Sequence, residues 1–254
     1  MKLISLNAWN GLILEPFLEF IETNKDIDIF CLQEIFHSNR DEKMWQGGKA
    51  NIFTRIANIL TTHDGYFSAI EEALDDKPAR GVAVPWGMAV FVKKGIPVGE
   101  AGEEFVYRHK NAYCNDDTKT LGRSVQYMKV GDGKDAFTLF NFHGLWNGEG
   151  KTDSEPRLIQ SQKIKALLDK IDGRKVFAGD FNLLPQTESY KIIKEGMIDL
   201  IEKYNITNTR STIHYQKPDR FADYVLVTPD VIVKSFNVMD VHVSDHLPLI
   251  MEFK

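Results

Sequence analysis

Apolar residues fall in short runs and periodic stretches that alternate along the whole chain. Leu3-Ile4-Ser5-Leu6 predicts a strand, ended by Asn7. Leu14, Phe17, Leu18 and Ile21 recur at spacings of three and four, one face of a helix, with Pro16 tolerated in its first turn. The apolar run 27–32 predicts a buried strand with Gln33-Glu34 at its carboxyl end. Ile52, Ile56, Ile59 and Leu60 mark a second amphipathic helix. Strands are then predicted at 66–69, 88–92, 124–130 and 136–142. Leu158, Ile164, Leu167 and Leu168 form a helix face that ends near Asp172-Gly173, and 175–178 is a strand followed by Gly179-Asp180-Phe181-Asn182. A short helix around 190–193 and strands at 223–227, 231–236 and 247–252 close the chain.

Polar groups stand at the strand ends of this pattern: Asn7, Glu34, His143, Asp180, Asn182 and Asp245-His246. In α/β folds rigid strands aim such residues into one crevice, so their recurrence predicts a shared site. Each alone has an ordinary reading. Glu34 is a solvated strand end, Asn7 and Gly-Asp-Phe-Asn are turn formers, Ser244-Asp245-His246 is a loop cap, and His143 is a structural histidine. The combination is far less ordinary.

With 254 residues, 43% of them hydrophobic, the chain can bury a large core. The even alternation without a Pro/Gly/Ser-rich linker predicts one domain, 1–254. A net charge of −5 speaks against nonspecific gripping of long nucleic acid, which favours a basic stripe. Of the two cysteines, Cys31 sits in an apolar run and reads as a core residue; two cysteines make no disulfide framework, and a single Cys31–Cys114 bridge stays open. No apolar run reaches the length of a membrane span, and the chain opens on a strand pattern, not a signal peptide. The expectation is a cytoplasmic monomer.

Six segments carry a resemblance. They are Ser5-Leu6-Asn7-Ala8-Trp9-Asn10, Cys31-Leu32-Gln33-Glu34, Asn141-Phe142-His143-Gly144-Leu145, Gly179-Asp180-Phe181-Asn182, Ala222-Asp223-Tyr224 and Ser244-Asp245-His246-Leu247-Pro248. In this order they resemble the endonuclease/exonuclease/phosphatase superfamily, over nearly the whole chain. The resemblance implies the DNase I-like fold, an α/β (α+β) four-layer sandwich of two packed mixed β-sheets flanked by helices. It implies a phosphoesterase using Mg²⁺ or Mn²⁺, with nucleic acid or a phosphorylated small molecule as substrate.

The chemistry agrees. Phosphate oxygens repel a nucleophile, and a hard cation held by one or two carboxylates removes that barrier. Glu34 is the candidate for the main metal ligand. The resemblance places Asn7 and Asp245 beside the metal, as a supporting contact and a second or water-mediated ligand. Asp180 and His246 are both candidates to orient or deprotonate the water, and Asn182 to hold water or phosphate. The resemblance pairs Asp223 with His246, which would fix the tautomer and favour the protonated imidazole. A histidine at 143 is similar to that of DNase I, deadenylases, sphingomyelinases and inositol polyphosphate 5-phosphatases, where it contacts phosphate or acts as general acid. No carboxylate partner for His143 is evident from sequence. Arg123 before its strand is a candidate phosphate contact, and Trp146 a candidate stacking surface; Arg157 reads as structural.

A nuclease or other phosphodiesterase is the leading expectation. A phosphatase or phospholipase C-type hydrolase acting on an inositol phosphate, lipid headgroup or other small molecule is the alternative, slightly favoured by the acidic charge. A catalytically dead binding module is the third reading, disfavoured because every ligand and base position is filled.

Overall fold

The computed structural model describes residues 1–44, 47–75, 83–115 and 117–254, and there the apolar runs become the strands of two sheets. In chain order the strands are β1 (Lys2–Asn7), β2 (Ile29–Phe36), β3 (His63–Asp75), β4 (Ala83–Lys93), β5 (Val98–Tyr107) and β6 (Arg123–Val130). They continue with β7 (Phe137–His143), β8 (Lys175–Asp180), β9 (Ile198–Asp199), β10 (Asp223–Val227), β11 (Val233–Val238) and β12 (Leu249–Phe253). The helices are α1 (Leu14–Thr23), α2 (Ile52–Ile59), α3 (Glu155–Lys170), α4 (Glu188–Lys194) and α5 (Leu200–Lys203).

One sheet has the order β11-β12-β1-β2-β4-β3 and the other β5-β6-β7-β8-β10-β9. Each is mixed, with a single parallel pair inside an otherwise antiparallel set: β1 with β2, and β7 with β8. Parallel neighbours need a crossover, and α1 and α3 provide the two. The two crossovers put the carboxyl ends of β1, β2, β7 and β8 at one edge of the sandwich, where the polar residues stand.

Burial follows the period of two that strands impose. Leu3, Ile29, Cys31, Val90 and Val92 join Val125, Leu139 and Phe177 in one core cluster. Their neighbours Ile4, Leu6, Phe30, Leu32 and Phe91 join Phe17 and Ile21 of α1 and Ile52 and Ile56 of α2 in another. The central strands β1, β2 and β4 thus bury both faces, one against the second sheet and one under helices. That is the four-layer sandwich expected from sequence.

A polar bridge crosses the apolar seam between the sheets. Gln33 Nε2 donates to Asn141 Oδ1 at 2.7 Å, and Asn141 Nδ2 is shared among the Leu32 and Ala89 carbonyls and Gln126 Oε1, each at 3.2 Å. All three side chains are buried.

The structure departs from the sequence pattern in particular places. β5 was not foreseen, because Val98–Tyr107 carries two glycines and three glutamates and leaves most of its length accessible as an edge strand. β3 runs well beyond the expected 66–69, in a long hairpin with β4. β2 passes through Glu34 to Phe36, so Glu34 lies inside the strand rather than beyond it. Cys31 and Cys114 are both free thiols, so the bridge left open by sequence is not formed. No helix among the described residues is long and apolar enough to cross a membrane.

Candidate active site

Glu34 is presented by a break in β2. The pairing with β4 shifts register between Gln33 and Ile35, and Glu34 adopts φ +57°. A bulge of this kind re-aims one side chain without ending the strand. The carboxylate is gripped from both sides: Asn7 Nδ2 donates to Oε1 at 3.0 Å and Asn10 Nδ2 to Oε2 at 3.3 Å. Asn10, itself at φ +56°, accepts from Trp86 Nε1 at 2.8 Å.

The second sheet meets this group with His143 and Asp180, which lie opposite each other in the parallel register of β7 and β8. The two strands approach closely at their ends. A Cβ on Gly179, at φ +148°, would lie 2.1 Å from the Phe142 carbonyl oxygen, so only glycine fits before Asp180. Asn7 Nδ2 also donates to Asp180 Oδ2 at 3.0 Å, linking the acidic groups of the two sheets through one amide. Asp180 Oδ1 accepts from the Asn182 amide at 2.9 Å, and Asn182 Nδ2 donates to the Gly144 carbonyl at 3.3 Å.

Asp223 opens β10 directly across from Asp180. Both of its oxygens lie 2.8 Å from His246 Nδ1, and His246 Nε2 lies 3.5 Å from Asp180 Oδ2. Arg210, from the segment before β10, contacts both ring nitrogens of His246 and pairs with Asp245. Its guanidinium sits 3.8 Å from the Tyr215 ring centre.

Every residue singled out from sequence therefore reaches one cleft or the groups that line it. Asn7 arrives as a donor, since its Oδ1 accepts from the Trp9 amide at 2.9 Å, and it supports the carboxylates rather than offering them an oxygen. His143, which lacked an evident acidic neighbour in sequence, has two: Nε2 is 3.6 Å from Glu34 Oε1 and 3.8 Å from Asp180 Oδ2. Arg123 lines the cleft with Nη1 3.4 Å from His143 Nδ1, and its buried Nε has no hydrogen-bond partner among the described residues. Trp146 lines the outer wall with Lys217 Nζ 4.9 Å from its ring centre. Arg157 is structural, as expected: it is buried and donates to the Leu145, Gly150 and Thr152 carbonyls.

Sequence reasoning missed Asn10, Lys151, Arg210 and Tyr215. Asn10 lay within a recognised segment, one turn beyond a strand end. The other three come from loops without periodicity, and only the Gly-Lys pairing at 150–151 and the basic character of Arg210 could have drawn attention.

The electrostatics favour a cation. Burial, then the Asp245 and Asp180 carboxylates, push Glu34 up to about 7 against the opposing hydrogen bond from Asn7. Its side chain still keeps 20% of its surface open toward the cleft. Arg210 pairs with Asp245 and Arg123 acts on Glu34, and a hard divalent ion at Glu34 and Asp245 would offset the remaining crowding of carboxylates. Asp180, Asp223 and His246 also offer ligand atoms within 4.8 Å of one another. There, however, Asp223 directs both oxygens to His246 Nδ1, which suits an acid–base pair better than a metal.

Burial, then the Arg210 charge, push the His246 imidazole down to about 4, while burial lifts Asp223 to about 7. Burial and the neighbouring guanidinium thus favour the neutral imidazole, against the pairing with Asp223, which favours the protonated one. His143 is held well below its ordinary value, by burial first and then by Arg123 and His246. Burial lowers Arg123 to about 10 and, with Arg210, Lys151 to about 8.

The cleft holds about 380 Å³, the size of a small-molecule site. A family model described as Endonuclease/Exonuclease/phosphatase family matches residues 4–246. Solved structures share the fold across the chain. An endonuclease/exonuclease/phosphatase from Bacteroides vulgatus is 19% identical, with a TM-score of 0.71, covering 100% of this chain and 98% of that one. The mannosyl-6-phosphatase Bt3783 from Bacteroides thetaiotaomicron is 18% identical with a TM-score of 0.69, covering 100% and 99%. A humanized D. rerio TDP2 is 16% identical with a TM-score of 0.66, covering 100% and 98%. No curated protein sequence matches.

Proposed function

The chain belongs to the endonuclease/exonuclease/phosphatase family, and on that premise we propose that it hydrolyses phosphate esters with water, using Mg²⁺ or Mn²⁺ as its cofactor and acting as one cytoplasmic catalytic unit. The observation that carries this reading is the meeting of Glu34, His143, Asp180 and the His246–Asp223 pair in one cleft, at distances of 2.8–3.8 Å.

When bound at Glu34 and Asp245, the divalent ion neutralises phosphate charge and polarises the bond to be broken. Asn7 and Asn10 hold Glu34 in place for it. Arg123 reaches the phosphate from β6 with the Nε–H that has no partner among the described residues. Asp180 orients the attacking water: Oδ1 is occupied by the Asn182 amide, while Oδ2 accepts from Asn7 and stands between the Nε2 atoms of His143 and His246 in the cleft. A neutral His246 donates its Nδ1–H to Asp223, which leaves Nε2, beside Asp180 Oδ2, as the nitrogen to take the proton of the water. His143, also neutral, serves as a hydrogen-bond donor to phosphate or leaving oxygen rather than as a source of a full proton.

The depth of the reacting groups favours a protruding phosphate. Asp180, His143 and His246 keep only 1%, 3% and 4% of their surface accessible. A phosphate on a small molecule or at a chain end can reach them, and the acidic overall charge agrees with this. Mannosyl-6-phosphatase Bt3783 is a precedent on this fold for a phosphorylated small molecule. A nuclease acting on nucleic-acid ends is the second reading, supported by the half-buried Trp146 as a stacking surface in the cleft lining.

The test is a Mg²⁺-supported substrate panel: sugar and inositol phosphates, sphingomyelin, single-stranded DNA and RNA, duplex and abasic DNA, and 5′-phosphotyrosyl DNA. Turnover of at least one ester, abolished by EDTA and restored by Mg²⁺ or Mn²⁺, is expected. Full activity after exhaustive chelation refutes the metal assignment, and no turnover of any ester refutes the enzyme reading.

A further inference from the structure

We propose that Lys151 is a catalytic residue of this site, whose ammonium binds a phosphate oxygen of the substrate from the wall opposite Arg123. The inference rests on the phosphoesterase reading and adds a substrate contact that the motif segments do not contain.

The loop that carries Lys151 is built to hold it still. Arg157, buried at the start of α3, donates to the carbonyls of Gly150 and Thr152, the residues on either side of Lys151, at 2.6 Å each. It also reaches the Leu145 carbonyl and Asn147 Oδ1, so one guanidinium gathers the loop from end to end. From the other side the Leu184 amide donates to the Lys151 carbonyl at 3.0 Å, fastening the loop to the segment that follows Asp180 and Asn182. A side chain meant only for solvent needs no such frame.

The ammonium itself is under-satisfied. Lys151 is 2% exposed and lines the cleft, yet among the described residues Nζ has a single hydrogen-bond acceptor, the Phe221 carbonyl at 2.9 Å. It lies 5.0 Å from the Tyr215 ring centre, within the field of Asp180 and Asp223. An ammonium has three N–H donors, and burying the remaining two without partners is unfavourable. An anionic oxygen entering the cleft completes them. Arg123 stands beside His143 and Trp86, whereas Lys151 stands beside Tyr215 and the Phe221–Asp223 strand start. The phosphate is thereby gripped from two walls, with Asp180 between them. Lys151 forms no covalent bond and transfers no proton in this role.

Inorganic phosphate tests the contact without turnover. With Mg²⁺ present, calorimetric titration should show phosphate binding to the parent and binding roughly 10- to 100-fold weaker to Lys151→Met, the range for a charge-assisted hydrogen bond. kcat/KM on whichever ester the parent hydrolyses should fall by about 100-fold or more. Because Lys151→Met also releases the Phe221 carbonyl, a second variant separates contact from scaffold. Lys151→Cys in a Cys114→Ser background, aminoethylated with 2-bromoethylamine, regains an ammonium at nearly the same reach, and Cys31 is buried away from the reagent. Aminoethylation should restore phosphate binding to within about threefold of the parent. Unchanged phosphate binding in folded Lys151→Met overturns the proposal, as does a loss that aminoethylation fails to reverse. Parent phosphate binding that depends on Lys151, without turnover of any ester, would instead leave this contact standing and remove the hydrolase reading.

Discussion

Asp223 addresses a single nitrogen of His246 with both of its oxygens, each 2.8 Å from Nδ1, deep enough that neither residue meets bulk water. The arrangement leaves one tautomer for the ring, with Nε2 as the free end. It also makes the two residues one functional unit. Asp223→Ala and His246→Ala should each reduce turnover by roughly two to four orders of magnitude, and the double variant should be little worse than the poorer single one. Steady-state kinetics on variants shown to be folded by circular dichroism decides this; strictly multiplicative losses would separate the residues.

Glu34→Gln keeps the size of the side chain, removes its charge and leaves one of the two oxygens that accept from Asn7 and Asn10. Mg²⁺ affinity should fall by at least an order of magnitude, with activity partly recovered at high metal. Titration of metal into parent and variant is the measurement. An inactive variant that binds Mg²⁺ like the parent would strip Glu34 of its role as main ligand.

Proton and metal compete for Glu34. Its folded value is raised from 4.5 to about 7, so the metal-free fold holds this proton more tightly than the unfolded chain does. The resulting stabilisation is fully present below 4.5 and is lost as pH rises through about 7. Metal-free parent should therefore lose thermal stability across that window relative to Glu34→Gln, and Mg²⁺ should restore it. Metal binding should tighten with pH up to about 7 and release a proton below it, visible as a buffer-dependent calorimetric enthalpy. A pH-independent affinity would contradict this.

Asn141 tests the bridge between the sheets. Asn141→Leu keeps the volume but takes the donor from the Leu32 and Ala89 carbonyls and Gln126 Oε1, and leaves Gln33 Nε2 only the Cys31 carbonyl at 3.3 Å. A loss of about 3 kcal/mol is expected from such buried unpaired groups, by urea denaturation. Replacing Gln33 and Asn141 together by apolar residues should cost less than the sum of the two single changes.

Much of this molecule was legible because period and position are local signals. The strands that carry Asn7, His143 and Asp180 were readable from apolar runs, and the residues at their ends identified themselves by ending those runs. β5 was illegible for the opposite reason: an edge strand with glutamates and glycines has no buried face to write a pattern. Arg210 and Tyr215 reach the cleft from a long irregular segment, and Lys151 from a loop whose shape depends on Arg157. Their placement is decided by tertiary hydrogen bonds, which leave no period in the chain. The charge state of His246 was hidden for the same cause, because it turns on Arg210, a neighbour thirty-six positions away.

The position of β12 has a temporal consequence. Among the described strands the earliest, β1, sits between β2 and the latest, β12, with the partner registers Lys2↔Glu252 and Ser5↔Leu249. During synthesis β1 can zip to β2 early, but its other edge stays open until β12 leaves the ribosome. Asp245 and His246 emerge just before that closing strand, long after Glu34 and Asp180. A nascent chain therefore carries Glu34, His143 and Asp180 before it has His246, and with an unpaired strand edge that invites wrong partners. Of the residues that line the cleft, Asp245 and His246 are the last to be made, so the site is assembled only after all its other walls exist.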